Sequence, residues 1–185
     1  SDDKFWRKRS NTMSNLLVQN IKHTNNTTAM SVDSSGRVLQ PSVPAFRVGL
    51  TSDQNVTSTG AHVTIEFNEG TSSESDECFT QGGFSWSSGV VTVPVTGVYH
   101  FDLLARVDSV GSGYIVFSIA KNNDFSGNKR MFSIEGDPAT DYQTITASGV
   151  FKLAASDNVR CAIYSSADSN FNITTRTTFS GHLVG

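Results

Sequence analysis

The run GVYHFDLLARVD, residues 97–108, alternates over most of its length. Tyr99, Phe101, Leu103, Ala105 and Val107 occupy the odd positions, and His100, Asp102 and Arg106 lie between them. A period of two puts the first set on one side of an extended strand and the second set on the other, whereas a helix would scatter both. A half-buried strand of this length cannot stand alone. It needs neighbours to pair with and a second layer to cover its apolar side.

The rest of the chain supplies such partners. AFRVGL, HVTIEF, VVTVPV, GYIVFSIAK, ITASGVFKLA, NVRCAIY and FNITTRTTFSGHLV are short, rich in β-branched and aromatic residues, and separated by Gly, Asn, Asp and Ser. Ile145, Ala147, Gly149, Phe151 and Leu153 share one face, as do Ile173, Phe179 and Leu183. No stretch has convincing helical periodicity. The expected fold class is all-β, a sandwich or jelly roll. With 185 residues, 12 Phe and only 17% charged residues, the chain suffices for one such domain and a short appendage.

The appendage lies at the N-terminal end. Pro41 and Pro44 bracket PSVP, and each fixes its own backbone angle while biasing the preceding residue toward extended geometry. The division is therefore expected as 1–44 and 45–185. Within the first part, Met30 and Val32 alternate with polar residues and DSSGR supplies a turn, so Thr28 to Leu39 reads as a hairpin. It has too few large apolar residues to bury a core by itself and needs a cover, for which identical segments of neighbouring subunits wrapped into a stalk are the preferred expectation. Upstream, SDDKFWRKRS sets Lys4, Arg7, Lys8 and Arg9 around Phe5 and Trp6, but Asp2 and Asp3 dilute the positive field, which suits a flexible or partner-docked terminus.

A formal net charge of −3 and a pI of about 5.7 argue against nucleic acid or an anionic membrane as a partner. Apolar runs span only a few residues, against the ~20 of a membrane helix. His23, His62, His100 and His182 are scattered, with no HExxH and no cysteine pair at zinc spacing. In SSESDEC, Glu74, Asp76 and Glu77 offer oxygen ligands at a spacing that falls short of a calcium loop. A solvated acidic loop is expected there, and no cofactor or metal. GxSxG, GxxxxGK[ST] and GxGxxG are all missing, so acyl transfer and nucleotide chemistry have no basis, and nothing favours a pair of hydrolytic carboxylates. Cys78 and Cys161 read as small thiols more readily than as a bridge. Asn25, Asn26, Asn55 and Asn172 open Asn-x-Ser/Thr sequons, most of them attributable to composition.

The order Phe84, Val91, Gly97, Tyr99, Phe101 has the spacing of the C1q domain signature. Together with the proline in VPVTGVYHF, the opening AFRVGL and the closing TTFSGHLVG, it makes Ala45–Gly185 resemble the C1q family, which is related in fold to the tumour necrosis factor family. Val91 and Leu103 replace aromatic residues that are usual there, and the region between Phe67 and Phe79 carries extra Ser and acidic residues. The resemblance implies a jelly roll assembled as a tight homotrimer, with Phe46, Tyr99, Phe101 and Phe179 as core or trimer-interface residues. There is no Gly-x-y array; NIKHTNNTTAMSVDSSGRVLQPSVPAF instead resembles the stalk-to-head junction of C1q-like proteins of tailed phages.

That resemblance implies a non-enzymatic virion protein, a fibre or decoration trimer. Its N-terminal segment, through Phe5, Trp6, Arg7 and Lys8, would hold other virion proteins. The loops carrying Asp108, Ser112, Asp137, Asp141, Asp168 and Asn170 are candidates for a host glycan or protein, although their polar, Gly-containing sequences equally suit bare turns. A capsid-stabilising trimer without receptor binding and a secreted eukaryotic recognition module remain open at this point.

Overall fold

Asp33 organises the first hairpin. In the computed structural model, which describes residues 18–68, 78–108, 110–125, 130–136 (backbone alone), 141–167 and 169–185, the chain divides into two units, Ser1–Pro41 and Ser42–Gly185. The described part of the first is a three-stranded antiparallel sheet, β1(Asn20–Lys22), β2(Thr28–Val32) and β3(Val38–Leu39), in that order. Between β2 and β3 the Asp33 carboxylate accepts hydrogen bonds from the Ser35 and Arg37 amides, each at 2.9 Å, and from Arg37 Nε at 2.7 Å. These contacts, the backbone amide of Arg37 first, lower the pKa of Asp33. Gly36 takes the left-handed φ of 79° that closes the turn. The hairpin expected over Thr28–Leu39 is present. β1 is an addition to it: its return turn runs through the uniformly polar HTNNTT, where Asn25 Oδ1 accepts from the Thr27 amide at 3.0 Å. Ile21, Val38 and Leu39 are 49%, 55% and 47% exposed, so this sheet builds no core of its own.

The second unit is a sandwich of two antiparallel sheets. Its strands are β4(Ala45–Gly49), β5(Gln54–Val56), β6(His62–Thr64), β7(Phe79–Gln81), β8(Ser85–Ser87), β9(Val90–Thr92), β10(Gly97–Asp108), β11(Ile115–Lys121), β12(Arg130–Gly136), β13(Tyr142–Leu153), β14(Asn158–Ser165), β15(Phe171–Ile173) and β16(Thr178–Leu183). The first sheet runs β5-β15-β10-β16-β4-β7, with β13 on the other side of β10. The second runs β12-β11-β14-β9-β8, with β6 also on β14. The described residues contain no helix, and none therefore is long and apolar enough to cross a membrane. The fold is an all-β jelly-roll arrangement.

The alternation in residues 97–108 is realised as β10. Tyr99, Phe101, Ala105 and Val107 are fully buried between the layers and Leu103 nearly so. β13 pairs with β10 along its whole length, placing Phe151 beside Tyr99 and Ile145 beside Ala105. β16 lies on the opposite edge with Phe179 against Leu103. Ile115, Phe117 and Ile119 of β11 and Val159, Cys161 and Ile163 of β14 close the core from the second sheet. Cys161 and Cys78 form no disulfide, and burial pushes the Cys161 thiol well above its ordinary pKa.

At the end of the sandwich where β13 turns into β14, Asp157 ties three elements together. Its carboxylate meets Lys121 Nζ at 2.6 Å, the Ala154 amide at 2.8 Å and Asn122 Nδ2 at 3.1 Å. Burial alone would raise its pKa, but these donors outweigh it and hold the group below the ordinary carboxylate value. A depressed folded-state pKa stabilises fully above the unfolded value of about 4 and is lost as pH falls through the folded value. Asp157→Ala is accordingly expected to cost about 2 kcal/mol at neutral pH. Urea unfolding should show the gap between wild type and variant shrinking below about pH 4, and a gap independent of pH would refute this assignment.

Candidate functional site

Strand register brings one set of loops together. Asp108 pairs with Tyr142, and Ile115 pairs with both Gly136 and Ser165. The connections β10–β11, β12–β13 and β14–β15 therefore leave the same end of the sandwich. Tyr114 N donates to Ser166 Oγ at 2.8 Å, and Gly60 N donates to the Ser165 carbonyl at 2.8 Å, which adds the β5–β6 connection to the cluster. Ser112, Asp141 and Asn170 are exposed there. Asn170 holds a left-handed φ of 74° while its amide donates to the Val56 carbonyl at 2.6 Å. Asp137, Asp168, Glu74, Asp76, Glu77 and the terminal Phe5, Trp6, Arg7 and Lys8 lie outside the described residues.

Asp108 closes β10 at this end. The sequence suggests a recognition loop, yet its two carboxylate oxygens accept from the Asn172 amide at 2.7 Å and from Asn172 Nδ2 at 3.2 Å. It is a strut between β10 and β15. The same contact commits the Asn172 side-chain nitrogen, and Asn55 Nδ2 in turn donates to Asn172 Oδ1 at 3.1 Å. Those two sequon asparagines hold each other across β5 and β15, and Asn25 and Asn26 are exposed in the first unit.

Phe46, Tyr99, Phe101 and Phe179 do come together, but inside one chain. Phe101 stacks on Tyr99 and on Phe179 at centroid distances of 6.1 and 5.6 Å, and Phe46 meets Phe179 edge-on at 5.2 Å. All four are at most 2% exposed. They are core residues with no surface left for a neighbouring copy. Tyr99 satisfies its hydroxyl by donating to the Val95 carbonyl at 2.7 Å, and burial raises its pKa.

The outward side of the first sheet is what the single chain leaves uncovered. Val150, Phe79 and Leu104 are 59%, 44% and 38% exposed on or beside it. Asp102, Leu104, Thr146, Ser148, Thr178 and Ser180 line a groove of about 440 Å³ across β13, β10 and β16. His100 Nε2 lies 2.8 Å from Ser148 Oγ and its Nδ1 lies 3.3 Å from Asp102 Oδ2, with the His182 ring 5.3 Å away. Serine, imidazole and carboxylate in that order have the outline of an activated nucleophile. Here, however, the Asp102 side chain is 50% exposed on an open sheet, where water screens its charge. The chemistry it supports is a hydrogen-bonded polar seam beside apolar contacts. Among the described residues β13 pairs with β10 alone, which leaves its other side as a long open edge of a kind that folded proteins rarely expose. The described residues bring no three His, Cys, Asp or Glu side chains together for a metal ion.

The sequence profile of the C1q domain matches residues 45–184. The chain belongs to the C1q domain family. No curated protein sequence matches it. Among solved structures, murine APRIL is similar with a TM-score of 0.54 at 16% identity, covering 76% of this chain and 98% of that one. The globular domain of zebrafish complement 1qA protein gives 0.50 at 19% identity, covering 77% and 98%. At such identities these neighbours establish the C1q/TNF-like fold. Within the C1q domain, the signature residues Tyr99 and Phe101 are those of the buried aromatic stack, and the glycine of FSG, Gly181, is the gap that admits it: a Cβ there would lie 2.5 Å from Phe101 Cδ1 and 2.8 Å from Phe46 Cε1.

Proposed function

We propose that this C1q-domain chain is a non-enzymatic, homotrimeric virion protein of a tailed phage. Residues 1–44 attach it to the particle or its fibre, Phe5, Trp6, Arg7 and Lys8 among them, and the head directs its clustered loops outward toward a host-surface glycan or protein. The observation that carries the self-association is the uncovered first-sheet face with the open edge of β13: an apolar and hydrogen-bonding surface on a chain whose own core is already complete. The coreless N-terminal sheet of β1, β2 and β3 supports the stalk, since the same sheet repeated around a threefold axis buries the side chains that one copy leaves in water. Three copies of each loop then turn a weak contact into avid binding. The likeness of residues 20–46 to phage stalk-to-head junctions supports the virion setting.

Labelling intact virions with an antibody against the chain, together with binding of the purified protein to host cells, tests this reading. Label at fibre or tail tips with saturable cell binding is expected. Label over the capsid without cell binding replaces the adsorption role with a decoration trimer. Unlabelled virions overturn the virion role and leave a secreted recognition module, for which glycans on exposed Asn25 or Asn26 are the specific mark.

A further inference from the structure

At the loop-bearing end of the first sheet, six residues of one chain line an open pocket of about 220 Å³: Asp53, Arg106, Tyr142, Thr174, Thr175 and Arg176. From its lining we propose that it is an oxyanion-binding site, taking a carboxylate or sulfate group carried on a ligand about the size of one sugar ring. The volume decides the size, since it is below the ~300–1,000 Å³ of pockets that enclose drug-sized molecules.

The two arginines set the charge. Neither Arg106 nor Arg176 forms an ion pair among the described residues. Asp53 is the one acid in the lining, and its Oδ1 is engaged by the Thr175 amide at 2.8 Å. Two guanidinium groups against one carboxylate leave a net positive charge. Arg106 lies with its Cζ 3.9 Å above the centroid of the Tyr142 ring. That contact uses the flat face of the guanidinium and leaves its N–H edges free, the edges that grip two oxygens of one anion. A stacked arginine also surrenders less side-chain freedom when a ligand arrives.

The floor is rigid for a separate reason. Thr174 N donates to the Arg106 carbonyl at 2.8 Å, and Thr177 N donates to the Thr174 carbonyl at 2.9 Å. Thr177 Oγ1 accepts from the Arg106 amide at 3.0 Å, so the β15–β16 turn and β10 form one unit under the two cations. Thr174 is 7% exposed, and its hydroxyl has no hydrogen-bond partner among the described residues. A buried, unsatisfied hydroxyl in the wall of a cationic pocket is unfavourable unless something completes it, and rotation of its side chain toward a bound oxyanion does so. All six residues belong to one chain, and the pocket is complete without a trimer.

This site gives a ligand class to the recognition role above and rests on that role only for its biological setting; binding in solution tests the pocket alone, and the cell-binding experiment tests the role. The full chain is titrated at constant ionic strength with sodium glucuronate, sodium sulfate and, as the neutral control, glucose, by calorimetry and by amide chemical shifts. Saturable binding of glucuronate or sulfate is expected, with shifts at Arg106 and residues 174–177 and none for glucose. Glucuronate alone assigns a carboxylate, sulfate alone a sulfate ester, and either satisfies the proposal. Arg106→Gln and Arg176→Gln should each weaken binding about tenfold. Because Arg176 is exposed on a turn, its variant is expected to fold even where Arg106→Gln does not. Thr174→Val should weaken binding without lowering the melting temperature, whereas a merely structural hydroxyl would move the melting temperature and leave the affinity alone. Absence of saturation with both anions, or affinity unchanged in Arg176→Gln, overturns the site.

Discussion

Phe101→Ala is expected to lower the stability of the head by about 3–5 kcal/mol, the range for deleting a fully buried phenylalanine. That is a large share of the ~5–15 kcal/mol that a domain usually possesses. Phe101 stands at the centre of the aromatic cluster, within 6.3 Å, centroid to centroid, of Phe46, Tyr99, Phe151 and Phe179. Its neighbours cannot collapse into the gap, because their rings are fixed by strand registers on both edges of β10. Gly181 supplies an internal check. Its alanine variant alone should be destabilising, since the new Cβ meets Phe101 at 2.5 Å. In the Phe101→Ala background the same methyl enters the vacated space, so the double variant should lose less than the sum of the singles. Urea unfolding followed by near-ultraviolet circular dichroism measures all three. Additive losses, or a Phe101→Ala loss under about 1 kcal/mol, would falsify the packing account.

What the sequence disclosed follows from the range of each interaction. The inward set of β10 was legible because burial of alternate residues is written into adjacent positions. The hairpin at Asp33 was legible for a similar reason: its turn is closed by Ser35, Gly36 and Arg37, all within a few residues. FNITTRTTFSGHLV reads as one strand but is two, β15 and β16, because Thr174 to Thr177 leave the ladder to form a turn bonded to Arg106. The bond from Asn172 to Asp108 is not legible locally because the two lie 64 positions apart and only the pairing of β10 with β15 makes them neighbours. Arg106 and Arg176 are hidden for the same reason. Both read as polar residues of strand-like runs, and nothing local says that they share a pocket with Asp53. The fold is therefore declared by short-range periodicity, while the charged site exists only once topology has joined distant segments.

Assembly of the head is expected on the outward face of the β10–β13 sheet, a surface that folding leaves uncovered. Val150 and Leu104 are 59% and 38% exposed on the outward side of β13 and β10, opposite His100 and Thr146 respectively. Replacing either by glutamate adds a charge that the single chain leaves in water, so the β spectrum and the unfolding of the isolated head should barely change. In a threefold assembly built on this face, the substitution buries three unpaired carboxylates at once, each beside the groove that already contains Asp102. Wild type is therefore expected to sediment as a trimer at micromolar concentration, and the Val150→Glu, Leu104→Glu double variant as a folded monomer. With the trimer gone, avidity goes as well, and binding of the head to cells should fall by about a hundredfold or more while affinity for a small anion at Arg106 and Arg176 is kept. A wild-type monomer, or a trimer indifferent to both glutamates, would show that this face serves some other partner. Retained anion binding in the monomeric variant would then separate the pocket, which one chain completes, from the assembly, which needs three.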